Sequence, residues 1–148
     1  MKLLFFLIAT LSFADKFDPF LGPEPIRPII MAACAETGVP VWIAAGLLWS
    51  ESTGDPKCVT ETSLGYWQLN SLYHDWFSKT FYGGRPFSEF DPVASTAIAL
   101  RYLASLYKVR GTWWKALVDY KHGPNAKTPA SPGIVKLCKD IAEGRVPE

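Results

Sequence analysis

The chain has 148 residues, 49% of them hydrophobic, and its 15 Lys and Arg against 14 Asp and Glu leave a formal charge of +1. That length suits one domain with its own hydrophobic core, and no internal repeat or low-complexity tract divides it. The scattered basic residues form no stripe, so nucleic acid is not an expected partner.

The N-terminus reads as a compact secretory signal: Met1-Lys2, an apolar run from Leu3 to Leu11, then Ser12-Phe13-Ala14 with small residues placed for cleavage after Ala14. The run falls short of the roughly 20 apolar residues that span a bilayer. Asp15-Lys16-Phe17-Asp18-Pro19 breaks any continuation. Residues 1–14 are therefore expected to leave a single domain over residues 15–148, in the periplasm or outside the cell.

Four prolines and a glycine between Asp18 and Pro28 predict an extended lead-in. A first helix is expected over Ile29 to Thr37, closed by Gly38, and a second from Pro40 to about Ser52, where Gly54, Asp55 and Pro56 stop it. Ile43, Leu47 and Leu48 form an apolar stripe on the second helix, and Glu51 falls on or beside it. A carboxyl group at an apolar edge, near a helix C-terminus with partial negative charge, is expected to hold its proton above the usual pH. Such a group is a usable general acid, although a surface glutamate at a helix end has the same spacing.

Residues 57–90 read as irregular, rich in Thr, Ser, Gly and aromatics, and contain the segment Gly65-Tyr66-Trp67-Gln68-Leu69-Asn70. Asp91 as N-cap and Pro92 in the first turn open a helix whose residues Val93 to Tyr107 alternate small and large apolar side chains, as a central core helix would. Further helices are expected from Trp113 to Tyr120, before Gly123-Pro124, and from Pro132 to Glu143, before Gly144. Without alternating strand patterns, these elements predict a mainly α fold.

Six Trp, six Tyr and nine Phe supply either core filling or a sugar-stacking cleft. Cys34, Cys58 and Cys138 permit one disulfide after export and leave one thiol over. Cys34, in an apolar stretch, reads as a buried free thiol. With no Cys-x-x-Cys pair and with His74 and His122 isolated in sequence, no metal site is expected.

Three blocks in order give the chain a family resemblance. Glu51-Ser52 with Asp55-Pro56 resembles the catalytic Glu-Ser and following turn of soluble lytic transglycosylases, enzymes related to goose-type lysozyme. Gly65-Tyr66-Trp67-Gln68-Leu69 is similar to their Gly-Leu-Met-Gln segment, and Tyr120-Lys121-His122-Gly123-Pro124 to their Tyr-Asn-Ala-Gly-Pro block. Arg101-Tyr102-Leu103 is similar to the family's Arg-Tyr-Leu. Gly54, Trp67, Lys121 and His122 depart from the family pattern, and the loop from Pro56 to Gly65 is about one residue short.

The resemblance implies a lysozyme-like helical domain with a central helix and an irregular cleft loop, acting on peptidoglycan glycan strands without metal or organic cofactor. It implies Glu51 as the catalytic acid, and cleavage of the bond between N-acetylmuramic acid and N-acetylglucosamine with a 1,6-anhydromuramoyl end. Substrate contacts are expected from Ser52, Tyr66, Trp67, Gln68 and Tyr120, with Tyr73 and Trp76 as further stacking candidates. Ser52 would orient the carboxylate or bond locally; Gln68 would read an acetamido group or cap backbone; Tyr120 would bond Glu51 or a sugar, or fill the core. Trp67 is the leading choice for stacking. A monomer is expected, with cell-envelope machinery as a possible partner class. A lysozyme-type hydrolase would draw a partner carboxylate from Asp55, Glu61 or Asp75. A non-catalytic murein-binding or assembly protein would follow if Lys121 and His122 kept Glu51 ionised.

Overall fold

The computed structural model describes residues 26–143. The expected signal segment, most of the lead-in and the Gly144 stop lie outside the described residues. Helices α1 (Ile26–Thr37) and α2 (Val41–Ser52) are followed by strands β1 (Val59–Thr60), β2 (Ser63–Leu64) and β3 (Leu69–Asn70). A 3-10 turn (Ser71–Tyr73) leads into α3 (His74–Phe81), and α4 (Pro92–Arg110), α5 (Trp113–His122) and α6 (Pro132–Ala142) complete the order. The fold is mainly α with one small sheet, as expected of a lysozyme-like domain.

Helix α1 begins earlier than the prolines suggest, at Ile26. Pro28 is tolerated in a first turn because its missing amide proton needs no partner there. Ile26 and Ile30, both fully buried, anchor that turn in the core. Helix α4 is the centre of the packing, with α1, α3 and α5 against it. Asp91 Oδ1 accepts from the Val93 amide at 3.1 Å, and Gly111 at φ 75° ends the helix beyond the expected Tyr107.

Helix α2 is apolar on more than one stripe. Ala44, Ala45, Gly46, Leu47 and Leu48 are all buried, so it runs through the interior between α1 and α6. A Cβ at Gly46 would stand 2.3 Å from Cys138 Sγ, so only glycine permits this approach of α2 to α6. Cys34, Cys58 and Cys138 are free thiols. Burial pushes Cys34 and Cys138 up to about 12, which leaves both as inert packing groups.

The segment expected to be irregular holds both the sheet and α3. Strands of two residues each are too short to show alternation, yet they pair antiparallel in the order β1-β2-β3, with Val59 opposite Leu64 and Leu64 opposite Leu69. Helix α3 has only eight residues and no side-chain N-cap, so tertiary contacts rather than propensity hold it. Phe77 is buried, and its ring meets Tyr102 of α4 at 5.5 Å. Arg101 secures the same corner: its guanidinium donates to Glu36 Oε1 of α1 at 2.7 and 3.1 Å and to the Phe81 carbonyl at 2.7 Å.

His74 is isolated in sequence but not in space. Its Nδ1 lies 2.6 Å from Oε1 of the buried Glu89, and its ring stacks on Phe87 at 4.2 Å. The Glu89 carbonyl in turn meets the sheet: a Cβ on Gly65, at φ 77°, would come within 2.4 Å of it. Gly65 therefore serves both a left-handed turn and a close backbone approach.

Candidate active site

A cleft of about 570 Å³ opens where the end of α2, the sheet, α3 and the end of α5 meet. Glu51, Ser63, Gln68 and Asn70 line it together with the aromatic side chains of Tyr73, Trp76, Phe77, Tyr102 and Tyr120. The remaining wall is Lys121-His122-Gly123-Pro124.

Glu51 reaches the cleft from the last turn of the buried helix α2. Burial pushes its carboxyl above the usual glutamate value, and the positive charge of Lys121 pulls it back by less. Desolvation therefore wins over the neighbouring cation, and Glu51 is held toward its neutral form. Asp55, Glu61 and Asp75 are exposed and none lines the cleft; Asp55 instead accepts from the Lys57 amide at 2.9 Å in its own turn. Among the described residues, Glu51 is the one carboxylate in the cleft wall.

Ser52 does not orient that carboxylate. Its hydroxyl is buried, donates to the Leu48 carbonyl at 3.3 Å and accepts from the Gly54 amide at 3.2 Å, so it closes the helix end. Thr53, at φ 51°, completes the stop by donating its amide to the Trp49 carbonyl at 3.0 Å. This strained turn leaves Glu51 one residue before the chain reverses.

The return segment serves the cleft by shape. Trp67 is 0% exposed, with its Nε1 donating to Thr96 Oγ1 of α4 at 2.9 Å, so neither face of its ring is open to a sugar. The stacking role expected of Trp67 is corrected to that of a core anchor. Tyr66 is 5% exposed and does not line the cleft either, and the same correction applies. Large aromatics this close to the interior gain more from burial than a cleft wall can return.

Gln68 does line the cleft, but its amide faces the hairpin. Nε2 donates to the Cys58 carbonyl at 3.1 Å and to the Gly65 carbonyl at 3.0 Å, while Oε1 accepts from Thr60 Oγ1. Both donor hydrogens are thus engaged, and backbone capping replaces the acetamido-reading role. Its φ of 49° is a left-handed conformation that costs about 1 kcal/mol or more, offset by these bonds.

Tyr120 crosses from α5 to fasten the same segment. Its hydroxyl donates to the Trp67 carbonyl at 2.8 Å rather than to Glu51. Burial first, then Glu51 and Tyr102, push it well above the ordinary phenol value, so it stays neutral. The ring packs on Tyr102 at 5.4 Å, which makes Tyr120 both cleft wall and core tyrosine.

Exposed ring faces come from elsewhere. Tyr73 and Trp76 are 57% and 44% exposed and border the cleft. Trp76 stands edge-on to Tyr102 at 5.5 Å, which fixes its plane. Phe77, Tyr102, Ser63 and Asn70 also line the wall; Tyr102 lies in the Arg101-Tyr102-Leu103 block, whereas no sequence signal beyond aromatic abundance marked Phe77. Asp119 went unmarked as well: 1% exposed, it accepts from the Ala126 amide at 3.1 Å and lies 3.4 Å from Arg110 Nε, tying down the chain that follows the Lys121 to Pro124 wall.

The domain is mainly helical, and a half-buried glutamate enters its aromatic cleft from a helix end. The family model of the transglycosylase SLT domain matches residues 27–131, the greater part of the chain, and the protein belongs to that family. The family's function is transglycosylase-type cleavage of peptidoglycan. No curated protein and no solved structure matches the chain.

Proposed function

We propose that the protein is a murein lytic transglycosylase in which Glu51 is the catalytic acid and base. The observation that carries this reading is the pairing of a single cleft carboxylate, among the described residues, with burial that raises it above the usual glutamate value. Protonated Glu51 donates to the glycosidic oxygen as an oxocarbenium-like charge develops at the muramoyl anomeric carbon, and the glucosaminyl hydroxyl leaves. The resulting carboxylate takes the proton from the muramoyl 6-hydroxyl as that oxygen attacks the same carbon, which forms the 1,6-anhydro ring and restores the acid. Because the nucleophile belongs to the substrate, proximity contributes on the order of 7–11 kcal/mol without a second carboxylate.

The lysozyme-type alternative needs a partner acid to hold water or attack, and Asp55, Glu61 and Asp75 stand away from the cleft wall. The non-catalytic alternative needs Lys121 and His122 to keep Glu51 ionised; against it, burial raises the Glu51 carboxyl by more than Lys121 lowers it. The signal-like residues 1–14 support a periplasmic or secreted place of action on glycan strands, and the reading takes the protein as a monomer. Digestion of sacculi with the purified protein, followed by mass spectrometry, tests the assignment. Anhydromuramoyl ends are the expected product; reducing muramoyl ends alone would establish hydrolysis instead.

A further inference from the structure

We propose that Lys121 forms a carboxylate-reading subsite in the cleft, which takes the lactyl arm of a muramoyl residue, or the stem peptide it carries. The inference rests on the peptidoglycan-cleaving reading and names which part of that substrate the cleft distinguishes.

Lys121 lies in the last turn of α5 and lines the cleft with Glu51 and Tyr120. It makes no ion pair or hydrogen bond with any described residue. Burial holds Glu51, the one cleft carboxylate among the described residues, toward neutrality. An aromatic cleft in which burial disfavours the charge of its one carboxylate, among the described residues, and which carries a lysine complements a ligand with one nearby anion. N-acetylglucosamine has no anionic group. Muramic acid has a 3-O-lactyl arm, which ends in a free carboxylate when bare and in an amide leading to peptide carboxylates when substituted.

Calorimetry on the full chain carrying Glu51→Gln tests this without turnover, since the neutral amide stands in for the protonated carboxyl. The probes are a GlcNAc-MurNAc tetrasaccharide with free lactyl carboxylates and the same saccharide with those groups converted to methylamides. A preference of about fivefold for the free acid is expected at low salt, the size of a partly exposed ion pair, and it should shrink as salt is added. Lys121→Ala should bind both ligands equally, and Lys121→Arg should keep the preference. Equal affinities before any change at Lys121, or a preference that survives Lys121→Ala, overturns the subsite. A stem-peptide-bearing saccharide that also outbinds the methylamide extends the recognised carboxylate to the peptide; one that does not confines it to the bare lactyl arm. Cleavage of the same saccharides by the protein with Glu51 intact is read separately, so a binding preference without turnover would remove the enzymatic reading and leave the subsite standing.

Discussion

The return segment Tyr66 to Leu69 and the rim Tyr73 to Trp76 lie a few residues apart and use their aromatic side chains in opposite ways. In the first, Trp67 is wholly buried and pinned to Thr96, and Tyr120 holds its carbonyl. In the second, Tyr73 and Trp76 border the cleft with much of their surface open. The motif-bearing segment sets the cleft's shape, and the rim, already a stacking candidate from sequence, leaves its aromatic surface open to the cleft.

Removing the acid that both regions frame should give the largest effect. Glu51→Gln is expected to lower turnover by about 10²–10⁴-fold or more, with saccharide binding nearly kept. Assays of muropeptide release check it, and retained turnover would take the chemistry away from Glu51. Trp67→Ala comes next, at about 3–5 kcal/mol of stability, because it empties a core site and orphans the Thr96 contact. Denaturant unfolding measures that loss, and activity should fall only as far as the folded fraction does.

Trp76→Ala should be milder and opposite in kind. Its ring contacts with Phe77, Phe81 and Tyr102 are worth about 1 kcal/mol to folding, while saccharide affinity should drop by roughly fivefold. Parallel melts and titrations of the two tryptophan variants sharpen the contrast. A Trp76→Ala protein with weakened folding and unchanged affinity would erase the distinction between the regions.

Most of the helical frame was legible because its signals are local. Asp91-Pro92 marks the start of α4, Gly38 follows α1, and Pro132 opens α6, and each marker acts within one turn. The sheet and α3 were not legible: two-residue strands carry no period, and α3 exists through its burial of Phe77 against α4. The same limit applies to the site. Glu51 could be placed from its helical offset to Leu47 and Leu48, but whether Trp67, Gln68 and Tyr120 face the ligand or the hairpin depends on contacts with Thr96, Cys58 and Trp67 itself, up to 53 positions away in the chain.

Burial raises the Glu51 carboxyl above its ordinary value against the pull of Lys121. A glutamate whose folded value is raised contributes stability fully below its ordinary value near 4.5, and that contribution is lost as pH rises through the raised value. The protonated fraction available for catalysis falls over the same window, which places the alkaline limb of the rate profile there. The direct measurement is the titration of the Glu51 side-chain carboxyl by carbon-detected NMR on the intact protein, assigned by its disappearance in Glu51→Gln. A midpoint above 4.5, moving higher in Lys121→Ala, is the predicted result, and a midpoint at or below 4.5 would contradict it.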